Sequence, residues 1–313
     1  MSDLLDLSTL RADEQAQFKM RSLYKQYGYS HYKMNKFEEY ELYSRNMDFL
    51  ISDAVITFTG SDGKLLALKP DVTLSIVKNA KDDSSSLQKV FYNENVYRKT
   101  GGSNEFREIM QTGIECIGNI DLYCIYEVIL LALKSLALIC DDFILDISHM
   151  GIIKSVLKSC NVDYDTENAI LKCIAQKNSF EIGAICDRKN IQDPARQALV
   201  SLARIHGKLS DCLVLLKELC FTDEMKEIHS QLEKISSLIC TSGFDDFACL
   251  DFSVTENLKY YSGITFKGYI KNIPVSVLSG GRYDNLLKRM HKKGGAIGFA
   301  VYLDTLERLS TNS

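Results

Sequence analysis

Residues 106–118, FREIMQTGIECIG, place Arg107, Ile109, Gln111, Gly113 and Glu115 two apart. On a β-strand that spacing turns all five toward one side of the sheet. The face then carries a guanidinium, a carboxamide and a carboxylate around one residue with no side chain. The run before it, VFYNENVYR (90–98), opens on Val90, Phe91, Tyr92 and Val96 and ends on Arg98, ahead of the pair Gly101-Gly102. These two runs predict a β-hairpin with a polar face. Any one of these residues alone reads as part of a surface ion pair; Arg107, Gln111 and Glu115 together on one strand face, with Arg98 beside them, point to a pocket.

Two further polar segments fit the same pocket if their strands are neighbours: KPDVT (69–73), and the Tyr260-Tyr261 pair with SGGRYD (279–284). Carboxylates hold an ammonium, a carboxamide both donates and accepts, and tyrosine hydroxyls orient a polar ring. A set of this kind suits a small zwitterion such as an amino acid. The glycines of SGGRYD lack the lysine pattern of a phosphate loop and are read as a tight turn before a helix.

The rest of the chain supplies the frame. Ala16, Met20, Leu23, Tyr24 and Tyr27 fall at helical spacing within 9–27, with Gly28 placed to end the helix. VITFTGSDGKLLALK (55–69) reads as two strands around Gly60-Ser61-Asp62-Gly63, stopped by Pro70. YCIYEVILLALKSLALIC (123–140) contains Glu127 and Lys134 and falls short of the ~20 uninterrupted apolar residues of a membrane span, so it is read as a buried helix capped by Asp121. FILDISHMG (143–151) returns as a strand. Residues 152–240 turn charged and helix-favouring, and strands resume at 248–254, 260–270 and 275–281, followed by helices near 283–290 and 302–310. The expected fold is α+β, an antiparallel sheet flanked by helices, with 1–151 and 241–313 forming the core and 152–240 a mostly helical insertion.

Composition narrows the function classes. A net charge of -4 argues against a broad nucleic-acid surface. The ten cysteines (116, 124, 140, 160, 173, 186, 212, 220, 240, 249) include no pair separated by two residues, and the five histidines (31, 149, 206, 229, 291) show no ligand spacing. No metal and no cofactor is therefore expected. The opening MSDLLDLSTLRADE has no secretion signal, so the cytoplasm is the expected location.

The polar segments also carry a resemblance. FYNENVYRKTGGSNEFREIMQTGIECIG resembles motif 2 of the class II histidyl-tRNA synthetases, and LALKPDVT their Leu-Arg-Pro-Glu-x-Thr segment. NLKYYSGITF, SGGRYDNLL and AIGFAVYLDTLERL resemble the histidine-specific elements and motif 3. The resemblance runs from about residue 10 to residue 310 and is weakest in the helical insertion. It implies a class II synthetase core with a histidine-like ligand pocket of Asp71, Thr73, Arg98, Gln111, Glu115, Tyr260 and Tyr261, in which Glu115 takes the ammonium and the tyrosines border the imidazole.

The departures fall on the nucleotide side. The motif 3 arginine is replaced by Thr305, the glycine three residues before it by Tyr302, and an Arg-Gly pair ahead of the tyrosines by Glu256 and Asn257. Asn35 stands at the proline of motif 1, and no C-terminal anticodon-binding domain is expected after Thr305. Keeping the amino-acid half while losing the nucleotide half resembles the regulatory subunits of ATP phosphoribosyltransferase in histidine biosynthesis. Those are synthetase-like proteins without aminoacylation activity. The resemblance implies no catalytic residues, allosteric feedback by L-histidine, a short-form catalytic subunit as partner, a homodimer within a hetero-octamer, and no tRNA or membrane. A truncated synthetase-like enzyme activating histidine, and a scaffold with a vestigial pocket, stay open as alternatives.

Overall fold

A computed structural model describes residues 9–50, 54–82, 86–99, 105–254 and 260–306. The first helix, α1 (Ala12–Gln26), buries Ala16, Met20 and Tyr24, one residue per turn on one face. It ends as its sequence demands. Gly28 adopts φ +82°, and Gly28 N and Tyr29 N donate to Lys25 O and Tyr24 O at 3.0 and 3.1 Å, closing a Schellman motif. The chain continues through β1 (Ser30–His31), β2 (Phe37–Glu39) and α2 (Tyr40–Ser44). The expected hairpin follows as β3 (Thr57–Thr59) and β4 (Leu65–Leu68), turning at Gly63, φ +80°, with β2 added to make a three-stranded sheet in the order β2-β4-β3.

After α3 (Thr73–Asn79) come the two long strands, β5 (Gln88–Lys99) and β6 (Phe106–Gly118), paired antiparallel from Gln88 opposite Ile117 to Lys99 opposite Phe106. Helix α4 (Leu122–Ala137) begins where Asp121 accepts a hydrogen bond from Cys124 N at 2.8 Å. It is apolar nearly all round and packs across the main sheet, and its buried Glu127 meets Lys89 Nζ at 2.7 Å. Among the described residues no helix is long and apolar enough to cross a membrane.

Strand β7 (Phe143–His149) leads into α5 (Met150–Cys160), α6 (Tyr164–Ala175), α7 (Ser179–Lys189), α8 (Ala195–Leu202), the short β8 (His206–Lys208), α9 (Leu209–Leu219) and α10 (Asp223–Thr241). These helices share one apolar core with the sheet, so Ile153, Leu199 and Ile235 belong to the same buried cluster as Ile147 and Phe299. The chain returns through β9 (Ala248–Asp251), β10 (Ile264–Ile270), β11 (Leu278–Arg282), α11 (Asp284–Arg289) and β12 (Gly295–Tyr302), then a single 3-10 turn at Leu303–Leu306. The helix expected over 302–310 is that turn as far as 306, and its remainder lies outside the described residues.

The main sheet has nine strands in the order β1-β5-β6-β12-β11-β10-β7-β9-β8. Its six inner strands, β5 to β7, are antiparallel, whereas β1 with β5 and β7 with β9 are parallel. The sequence reading assigned no strand to residues 295–302, yet β12 sits near the middle, between β6 and β11. Its residues GAIGFAV are nearly all buried, so the polar alternation that marks a half-exposed strand is missing.

The cap on α4 gives a test of this frame. Asp121→Ala should cost about 1 kcal/mol, the usual value of a side-chain N-cap. Equilibrium urea unfolding would show it as a lower midpoint at unchanged slope.

Candidate functional site

The inner strands present small residues where a pocket needs a floor. Gly113 lies opposite Tyr92, and a β-carbon there would sit 2.6 Å from the Tyr92 hydroxyl; the tyrosine ring occupies the space a side chain would take. Gly298 lies opposite Glu115, and a β-carbon there would collide with the carboxylate. Gly280 and Gly281 belong to β11 and pair with Phe299 and Gly298. The tight turn expected at SGGRYD is therefore not present. Gly281, at φ +157°, holds a backbone conformation that residues with side chains rarely adopt, and a β-carbon there would come within 2.7 Å of Tyr261 Cδ1. The glycines clear room above the sheet for the side chains of the pocket.

Above this floor is a cavity of about 190 Å³. It is smaller than the ~300–1,000 Å³ of drug-sized sites and suits a ligand of amino-acid size. Asp71, Thr73, Arg98, Gln111, Glu115, Tyr260 and Tyr261 all line it. Arg107 does not: it is exposed at the outer end of β6, opposite Arg98, because the polar face of the strand runs out past the cavity.

Glu115 is the most tightly held of the set and is 2% exposed. Thr73 Oγ1 donates to its Oε1 at 2.7 Å, and Tyr283 Oη donates to Oε2. Burial pushes the Glu115 carboxyl up to about 8, against the opposing pull of those two hydroxyls, and the nearby Asp71 charge adds to the rise. Asp71, at the start of α3, accepts from Leu74 N at 2.8 Å; burial also raises its pKa, while the Arg98 charge pulls it back.

Arg98 is anchored before any ligand arrives, since its Nε donates to Pro70 O at 2.6 Å and its Nη2 to Gln111 Oε1 at 3.4 Å. The Gln111 side chain lines the cavity, and its buried Nε2 has no hydrogen-bond partner among the described residues. A buried donor left so costs ~1–3 kcal/mol until something accepts from it. Tyr260 and Tyr261 meet edge to face with ring centres 4.8 Å apart. Two carboxyl groups, an amide donor and a guanidinium lining one cavity can complement a zwitterion.

The positions expected to mark a lost nucleotide half divide three ways. Tyr302 lines the cavity. Thr305 does not, and its Oγ1 donates to Tyr302 O at 2.5 Å within the 3-10 turn. Glu256 and Asn257 lie outside the described residues. The sequence reading gave Tyr283 no role of its own, although its hydroxyl holds Glu115; the two are brought together only by the pairing of β6, β12 and β11. Lys267 and Tyr92 also line the cavity. Lys267 stands alone among the largely apolar residues of β10, and Tyr92 belongs to the apolar opening of β5, so neither is marked by its neighbours in sequence.

The fold and the matched sequence agree with known proteins. The family model for histidyl-tRNA synthetase matches residues 1–306. A curated relative from Caldanaerobacter subterraneus subsp. tengcongensis, an ATP phosphoribosyltransferase regulatory subunit, is 31% identical over 293 residues, covering 91% of this chain and 75% of the relative. A relative of the same name from Oceanobacillus iheyensis is 28% identical over 288 residues, covering 91% and 71%. Among solved structures, an ATP phosphoribosyltransferase regulatory subunit/histidyl-tRNA synthetase from Bacillus halodurans superposes with a TM-score of 0.82 at 23% identity over 98% of this chain and 80% of that one. A chain of the ATP phosphoribosyl transferase (HisG:HisZ) complex from Thermotoga maritima gives 0.73 at 20% identity, covering 96% and 98%. At these identities the two structures speak for the fold.

The Glu115 environment predicts a pH dependence. The folded protein holds its proton up to about 8, whereas the unfolded chain releases it near the ordinary 4.5, so between those values the folded state binds more protons. Stability therefore falls as pH rises through this window, by at most ~1.4 kcal/mol per unit, and the penalty is complete above it. Glu115→Gln lacks the titration. Unfolding midpoints of the two proteins at pH 5 and pH 9 should diverge, with the variant gaining on the wild type at pH 9; parallel midpoints would contradict the assignment.

Proposed function

We propose, on the premise that this chain belongs to the histidyl-tRNA synthetase family, that it is the regulatory subunit of ATP phosphoribosyltransferase and senses histidine for a separate catalytic subunit. The observation that carries this reading is a pairing of two facts. Regulatory subunits match the chain over nine-tenths of its length, and the cavity joins Asp71 and Glu115 to Arg98 and the unpartnered amide of Gln111. Asp71 and Glu115 together would receive the ligand's ammonium, Gln111 Nε2 and Arg98 its carboxylate, and the tyrosine pair would border the imidazole. The oxygens of Glu115 are already engaged by Thr73 and Tyr283, which supports giving Asp71 a share of the ammonium.

The absence of aminoacylation is part of the proposal. Tyr302 takes up cavity wall where the synthetase pattern has glycine, and Thr305 and Glu256 stand in place of two arginines. With Glu256 in one of those places, a transition state rich in phosphate charge loses stabilisation. Exchange of radiolabelled pyrophosphate into ATP should accordingly stay at the no-protein background when histidine is added; histidine-dependent exchange would favour the truncated enzyme instead.

Regulation through a shared interface imposes reciprocity. If the catalytic subunit changes the affinity of this chain for histidine by some factor, histidine must change the affinity for the catalytic subunit by the same factor, typically ~5–150-fold. A short-form catalytic subunit from the same organism, mixed with this protein, should become active and inhibited by histidine. Glu115→Ala should relax the inhibition and leave assembly intact. Failure of the two proteins to associate would refute the regulatory reading, and assembly with unchanged inhibition would move the effector out of this cavity.

A further inference from the structure

Toward one edge of the main sheet, beyond β10, three strands bring Asp146, His206 and Asp251 together. Their ligating atoms all lie within 4.8 Å of one another. His206 and Asp251 are directly opposed on β8 and β9, and Asp146 reaches the same spot from β7 on the other side of β9. Asp251 is buried, its Oδ1 accepting from Ser253 N at 2.8 Å and its Oδ2 lying 3.7 Å from His206 Nε2. Asp146 Oδ1 is buried and has no hydrogen-bond partner among the described residues. Two carboxylates so close, one with an unsatisfied buried oxygen, call for a cation.

We propose that Asp146, His206 and Asp251 form a binding site for a first-row divalent cation of the zinc type, which pins β8 and the helices on either side of it to the edge of the main sheet. One imidazole nitrogen and two carboxylate oxygens are zinc-type donors, whereas magnesium and calcium favour oxygen alone. Bonds of ~2.0–2.2 Å would draw the donor atoms to about 3.3 Å apart. The required movement falls to His206, whose side chain is 49% exposed. The resident cation is Lys177, whose Nζ lies 2.7 Å from Asp251 Oδ2; its side chain is 43% exposed, so it can swing out as the metal enters. Sequence spacing hides the site because its members come from three separate strands.

The test uses the full chain without a polyhistidine tag, freed of metal by chelation, with zinc chloride as the probe. Zinc, and not magnesium, should raise the thermal midpoint by several degrees, and His206→Ala should weaken zinc binding in calorimetry by about tenfold or more. Lys177→Met should melt lower than wild type without metal, bind zinc more tightly, and regain its midpoint when zinc is added. With ten free cysteines, adventitious binding is separated by cobalt(II): the site predicts a spectrum without thiolate-to-metal bands. Thiolate bands, equal zinc affinity in wild type and His206→Ala, or a Lys177→Met protein that zinc does not restore would each overturn the proposal.

Discussion

The cavity is organised around one carboxylate inside a β-sheet. Glu115 stands on β6 facing the backbone of Gly298, with Thr73 from α3 and Tyr283 from the start of α11 closing on its two oxygens. An ionised group there would cost several kcal/mol without partners, and two hydroxyls offset only part of that. The elements around the pocket follow from this requirement. Position 298 has to be glycine, α3 has to begin at Thr73, and β11 has to deliver Tyr283 beside β6. Glu115 has two hydroxyl donors there, and a ligand ammonium would supply the charge that lets it ionise.

Two buried ion pairs elsewhere in the chain are completed internally, in contrast to the cavity. Lys69, 2% exposed, is paired with Glu94, whose other oxygen accepts from Met34 N at 3.0 Å. Glu127 within the apolar helix α4 has Lys89 and the Tyr29 hydroxyl. The first pair ties the end of β4 to β5, and the second ties α4 to the main sheet. At the cavity, by contrast, Gln111 Nε2 has no acceptor and Glu115 has hydroxyls but no ion-pair partner among the described residues. Incompletely satisfied polar groups of this kind mark a place for a ligand.

Much of this was legible in the residues. The period-two pattern of β6 put Gln111 and Glu115 on one face, and the helical period of α1 with its terminal Gly28 gave that helix within a few residues. What failed did so for identifiable reasons. The pattern could not say where the cavity ends, so Arg107 was grouped with residues it does not join. The glycines at 280 and 281 read as a turn because their other use, clearing a sheet face for rings and carboxylates from distant segments, has no local signal. β12 lacked alternation because it is covered on both sides. Tyr283, the most direct partner of Glu115, is 168 residues away along the chain, and only the order of strands connects them.

The central claim is that this cavity takes an amino acid through charge complementarity to Glu115. Calorimetric titration of L-histidine into the wild type and into Glu115→Gln tests it directly, since the isosteric amide keeps the shape but cannot release a proton to become a carboxylate for the ammonium. Hydrogen bonds to charged groups contribute ~1.5–3 kcal/mol, so the variant should bind about tenfold or more weakly. Equal affinities in the two proteins, or heat of binding in neither, would contradict the account.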